Sequence, residues 1–225
     1  MNTEKHYYSI DSPELQYLRK CDEQLDFAIQ LIGDLEYQIH SDPFRHFMDT
    51  IIGQMLSNKV ADVISGRFYE LCNNDVTAES VCKLSVDDLR SIGISRDKSK
   101  YILNFAEFIK DNPTYFEYLA DLPDDELLAE LQKHRGIGGW SSKMYAIFVL
   151  NRKDILPFED GAFIQSIEWL YGIKEKNRNH PQIRKICEKW SPYRSLAARY
   201  MYRVLDAGYV RRDIEEVKKE VANRY

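Results

Sequence analysis

Apolar positions recur every three or four residues along nearly the whole chain, with polar residues between them, the period of helices that pack by one face. Ser12 ahead of Pro13 and Glu14 predicts a helix start with proline in the first turn, and Leu15, Leu18, Leu25, Ile29 and Leu31 supply the apolar residues behind it. Ser41-Asp42-Pro43 opens another helix, in which Phe44, Phe47, Ile51, Ile52 and Met55 repeat at helical spacing. Further amphipathic stretches are predicted at 59–71, 86–91, 95–109, 124–134, 138–150, 162–171, 181–188, 193–205 and 213–222. Alternation of period two, the mark of a half-buried strand, is absent apart from a short piece at 154–158. The expected fold class is all-α, built from many short helices.

Composition narrows the class of protein. The 225 residues are 44% hydrophobic and include 3 Trp, 15 Tyr and 10 Phe, enough apolar material for a core and too much for a disordered chain. The longest unbroken apolar run covers only residues 144–150, against roughly 20 residues for a membrane-spanning helix. The opening MNTEKHYYSI lacks the apolar stretch of a secretory signal, so a soluble intracellular protein is expected, cytoplasmic in a bacterial setting and acting at the nucleoid. Cys21, Cys72, Cys82 and Cys187 form no C-x-x-C pair, which argues for buried free thiols over a zinc or iron–sulfur site. The net charge of −5 is concentrated at one end: residues 1–40 carry 3 Lys/Arg and 8 Asp/Glu, and the remainder is neutral. Within that remainder, residues 151–200 hold 10 basic and 6 acidic side chains, so a polyanion partner is compatible with a local face.

Two loop sequences exceed what a plain helical bundle needs. The first is residues 131–140, LQKHRGIGGW, between two helical stretches. Gly136 and Gly138 permit a tight turn with close backbone approach, Ile137 between them can plug back between the helices, and Gly138 and Gly139 open the second helix. Unpaired amides at a helix start attract anions, phosphate above all, and Lys133 and Arg135 flank the turn. An ordinary αα-hairpin closed by glycines fits the same residues. The second loop is Leu156-Pro157-Phe158-Glu159-Asp160-Gly161, ahead of a helix beginning near Ala162. Asp160 is placed there as a helix cap, and a carboxylate at that position also suits stabilisation of a developing cation. Glu159 is its rival.

Gly136-Ile137-Gly138-Gly139-Trp140, followed at this distance by Pro157 and Asp160, resembles the helix-hairpin-helix (HhH-GPD) DNA glycosylase superfamily, in particular its alkylation-repair branch of DNA-3-methyladenine glycosylase II. Three more segments are similar to the family's: Asp42-Pro43-Phe44 with the run from Ile51 through Gln54, Met55 and Leu56 to Ser57; Gly93 to Lys98 with Tyr101 and Ile102; and Trp190 with Pro192, Tyr193, Arg194, Ser195 and Ala197. The resemblance spans about residues 15–210.

That resemblance implies one HhH-GPD domain over residues 1–225, with a helical lobe at about 43–150 holding the hairpin 131–140, a second lobe from about 1–42 plus 151–225, and an active-site cleft between them. The family's N-terminal β domain is expected to be missing, because the residues before Asp42 read as helix. The hairpin would grip phosphates of double-stranded DNA beside an alkylated base, the flipped nucleotide would enter the cleft, and Met55 or Leu56 would fill the gap as a wedge, although core burial suits either residue as well. Asp160 matches the catalytic aspartate; Trp140, Tyr202 and Met144 fall where the base pocket is lined, with core packing open for Trp140 and Tyr202. No cofactor is implied for the reaction, but the carbonyls of Gln132, His134 and Gly136 would hold a Na or K ion when DNA is present. Lyases of the superfamily carry a Schiff-base lysine where this chain has Trp140, which implies a monofunctional glycosylase; separately, no obligate protein partner is apparent and a monomer is expected. Lys143, three residues on, keeps an oxidised-purine glycosylase/lyase open, and a non-catalytic DNA-binding hairpin protein is the other alternative. Arg194 and Ser195 would touch the DNA backbone or join helices, and Arg96, Lys98 and Lys100 read as a solvated face unless they border the cleft.

Overall fold

The computed structural model describes residues 5–174 and 181–222. In chain order they form strand β1 (Lys5–Tyr8), helices α1 (Pro13–Cys21) and α2 (Glu23–Ile32), strand β2 (Leu35–Gln38), and helices α3 (Pro43–Gly53), α4 (Asn58–Leu71), α5 (Ala78–Val81), α6 (Val86–Ser91), α7 (Arg96–Asp111), α8 (Tyr115–Asp121), α9 (Asp124–Leu131) and α10 (Gly139–Phe148). Then come α11 (Gly161–Tyr171), α12 (Pro181–Glu188), α13 (Arg194–Asp206), a 3₁₀ turn at Tyr209–Arg211, and α14 (Ile214–Ala222). The expected all-α class holds. The chain divides into two compact units, His40–Asn151 and the described parts of Thr3–Ile39 with Arg152–Tyr225.

Within the His40–Asn151 unit, α3 runs through an aromatic core: Phe47 stacks on Tyr145 of α10 with ring centroids 4.6 Å apart, and meets the tilted ring of Phe105 of α7 at 5.1 Å. Leu127, Leu131, Ile102 and Ile147 are fully buried around them. Asp42 starts α3 by accepting from the Arg45 amide, ahead of Pro43 in the first turn.

The other unit gathers Leu15, Leu18, Leu25, Ile29, Phe163, Ile167, Trp190, Tyr200 and Met201 into one core. The apolar run behind Pro13 is broken in two. Asp22, in extended backbone, ends α1 and caps α2 by accepting from the Gln24 and Leu25 amides, while its other oxygen accepts from the Trp190 indole at 3.3 Å. The all-helical reading of the first 40 residues also fails at β1 and β2, which pair antiparallel from Lys5 opposite Gln38 to Tyr8 opposite Leu35. The guanidinium of buried Arg199 sits 3.7 Å over the Tyr37 ring of this ribbon. The suspected strand at 154–158 is an irregular loop.

No helix among the described residues is long and apolar enough to cross a membrane. All four thiols are free, but only Cys72 and Cys187 are buried; Cys21 and Cys82 are partly open.

Candidate nucleic-acid interface and carboxylate site

The glycine hairpin joins α9 to α10. Gly136 has φ +93, and a Cβ there would lie 2.5 Å from ring carbons of Tyr101 on α7, so both backbone and space demand glycine. Ile137 is 3% exposed and plugs the turn. Gly138 differs. Its φ of −99 suits any residue and a Cβ would meet nothing within 4 Å, so the fold leaves this glycine unexplained. It is the N-cap of α10, the helix opened by Gly139, and it has no side chain to accept from the first-turn amides. A glycine that neither strain nor crowding requires, at the start of a ten-residue helix, fits a surface where an anion comes close to backbone.

The polar surroundings are partly occupied. Lys133 is exposed and pairs with Glu130 at 2.5 Å, while Arg135 is exposed beside it. His134 shares a 2.8 Å hydrogen bond with the Tyr115 hydroxyl, packs edge-on against Phe105, and burial pushes its pKa down. Of the three carbonyls assigned to a cation, that of Gly136 accepts from Gln54 Nε2 at 2.8 Å and that of His134 from the Ile137 amide at 3.0 Å. Each keeps a second lone pair, so the set fits an ion only with its ligands shared. Gln54 Nε2 also donates to Ser141 Oγ at 3.1 Å.

Met55 follows Gln54 in a left-handed turn, φ 60, with its side chain fully exposed at 101%; Leu56 is 38% exposed. Helical spacing put Met55 in the stripe of α3, but the helix stops at Gly53 and the turn throws the side chain outward. The left-handed backbone costs a residue with a Cβ about 1 kcal/mol. Of the two readings of the Arg96, Lys98 and Lys100 cluster, the solvated face fails for Lys98. It is half-buried, and its Nζ donates to the carbonyls of Ile52 at 2.8 Å and Gln54 at 2.6 Å. The placement of Lys98 among the motif residues Gly93–Tyr101 was the one sign of this in the sequence.

In the other unit, Asp160 is the N-cap of α11, accepting through Oδ1 from the Phe163 amide at 2.8 Å, and it is partly buried while Glu159 is exposed. Tyr202 on α13 is partly buried, and its phenol pKa is pushed up by burial and then by the charge of Asp160, which sets the two side chains within electrostatic reach. The loop leading to Asp160 is tied to the start of α13. Arg194 holds Asp154 with two bonds, Nε to Oδ1 at 2.7 Å and Nη2 to Oδ2 at 2.9 Å, and Ser191 Oγ adds a third at 2.8 Å. Burial works against the Asp154 anion, yet these donors hold its pKa below the usual carboxylate range. Ser195 Oγ accepts from the Ile155 amide at 2.9 Å. Arg194 and Ser195 are thus joined to protein, the structural alternative of the two.

Trp140 and Lys143 in α10 are partly buried, whereas Met144 is 7% exposed among the core residues of that helix. Among the described residues no group of three or more His, Cys, Asp or Glu side chains is placed to hold a metal ion.

A helix-hairpin-helix with an uncapped glycine start, carried with an aspartate at the head of a later helix, defines a class. The chain belongs to the HhH-GPD superfamily of base excision DNA repair proteins, which matches residues 48–192, more than half of its length. The alkylbase DNA glycosidase-like protein mag2 of Schizosaccharomyces pombe is 26% identical over 89% of this chain and 92% of its own. DNA-3-methyladenine glycosylase 1 of the same yeast is 27% identical over 83% and 84%. Among solved structures, the DNA-3-methyladenine glycosidase of Bacillus halodurans superposes with a TM-score of 0.76 at 28% identity, over 88% of this chain and 92% of that one.

Proposed function

We propose that this protein is a monofunctional DNA glycosylase of base excision repair, which releases alkylated purines of the 3-methyladenine type from double-stranded DNA. The observation that carries the reading is Asp160: a carboxylate whose rotamer is fixed by the Phe163 amide at the head of α11. The names of the relatives, alkylbase and 3-methyladenine glycosylases, point to the same substrate class.

The chemistry follows from the bond to be broken. As the C1′–N bond of the damaged nucleotide lengthens, its electron pair passes to the base and positive charge grows on the sugar. The Asp160 carboxylate stabilises that charge, and water adds to C1′ with loss of a proton, leaving an abasic site. A purine made cationic by alkylation departs neutral and needs no strong acid. In this reading the α10 amides at Gly138 and Gly139 take a phosphate, with Lys133 and Arg135 beside it. Met55 enters the stack, and Trp140 and Tyr202 face the base. A Na or K ion in the DNA complex would be held by the carbonyls of Gln132, His134 and Gly136.

Base release from methylated duplex DNA, identified by chromatography, tests the proposal. Asp160→Asn keeps an N-cap acceptor but removes the charge, so excision is expected to fall at least about a hundredfold while DNA binding survives. Retained excision refutes the role of Asp160, and Glu159→Gln is the next variant to measure. Borohydride trapping on lesion DNA is expected to give no covalent adduct; an adduct lost in Lys143→Ala would favour the lyase.

A further inference from the structure

We infer that Lys98 is a positioning residue for DNA distortion: it holds the turn that projects Met55, and through Gln54 it ties that turn to the glycine hairpin. The inference rests on the reading of Met55 as the side chain that enters the duplex.

An exposed methionine in left-handed backbone persists only where its surroundings over-determine the turn. Two such constraints meet here. Lys98 Nζ lies at the C-terminal end of α3 and donates to the carbonyls of Ile52 and Gln54, on either side of the residue where the helix stops. The charge suits the negative end of a helix, whose last carbonyls lack partners in the helix itself. The Gln54 side chain, next to Met55 in sequence, donates to Gly136 O and Ser141 Oγ, one in the hairpin and one in the first turn of α10. Two loops read as DNA-contacting are thus joined through a single residue, and Lys98 holds that residue by its backbone. One turn further along α7, the Tyr101 ring packs against Gly136. A bystander lysine would have its ammonium in water. This one is drawn in far enough for burial to lower its pKa, and the carbonyls of Ile52 and Gln54 that it bonds both belong to the approach to Met55.

The test separates positioning from general support. A duplex with 2-aminopurine next to a tetrahydrofuran abasic analogue reports unstacking and affinity with no excision step. Lys98→Met is expected to bind this duplex about tenfold more weakly than the parent, the scale of losing a charged donor shared by two carbonyls. Its fluorescence change at saturation should be smaller too. In a Met55→Ala background the same substitution is expected to shift affinity less than about twofold, because the residue it positions is gone. Lys98→Gln, with a donor on a shorter stem, gives the same comparison with less disturbance of the fold. Equal losses in both backgrounds, or a folded Lys98→Met that binds like the parent, overturn the inference. A parent that does not prefer the abasic duplex to undamaged DNA refutes the functional reading itself, and the inference with it.

Discussion

The ring of Tyr101 lies so close to Gly136 that a Cβ on the glycine would stand 2.5 Å from its Cγ and Cδ2 atoms. The positive φ of Gly136 adds backbone strain for any other residue. Gly136→Ala is therefore expected to cost about 2–4 kcal/mol, from left-handed strain and overpacking together. Calorimetry should find a thermal midpoint lower by roughly 5–10 °C.

Gly138→Ala should behave in the opposite way. A Cβ there has open space and ordinary backbone angles, so the thermal midpoint should stay within about 2 °C of the parent. If phosphate approaches this position, the methyl group stands in its way, and affinity for duplex DNA should fall about tenfold by fluorescence anisotropy. Unchanged affinity would make the glycine a mere turn residue.

His46 makes stability depend on acidity. It is buried on α3 with no hydrogen bond to Nε2, and burial, helped by the neighbouring His40, moves its pKa from an ordinary 6.5 to about 3. Between those pH values the unfolded chain binds a proton that the folded chain excludes, so this contribution is full above pH 6.5 and is lost as pH falls toward 3. Urea unfolding at pH 7 and pH 5 should differ by about 2 kcal/mol more in the parent than in His46→Phe.

The paired bonds from Arg194 to Asp154 predict a split between binding and chemistry. Arg194→Lys loses the planar two-point contact, at a cost of about 1–2 kcal/mol for a pair that is partly solvent-exposed. The 153–155 loop leads directly to Asp160, so single-turnover base release should slow more than DNA affinity drops. Equal effects on both would show that the clamp is only a fastener.

How far the sequence could be read depended on the range of each interaction. The hairpin was legible because Gly136, Ile137 and Gly138 act on their own backbone, and Asp160 because a cap acts three residues ahead. The strands of four residues were too short to show a period, as were the four residues of α5, and α8 with seven was missed as well. Asp22 broke a predicted helix by capping the next one. Met55 kept the spacing of α3 after the helix had ended. Lys98 bonds to carbonyls 44 and 46 residues away and Arg194 to a carboxylate 40 residues away. No local pattern announces partners at such distances.

The ribbon of β1 and β2 and the helices α1 and α2 share their core with α11 and α13. Their partners are translated only after the whole His40–Asn151 segment. At ordinary elongation rates the early segment waits on the order of ten seconds for them. During that interval Leu15, Leu18, Leu25 and Ile29 can pack only within α1 and α2 and not on α11 and α13, so their half of the core stays open to water, while the middle of the chain can fold as it emerges.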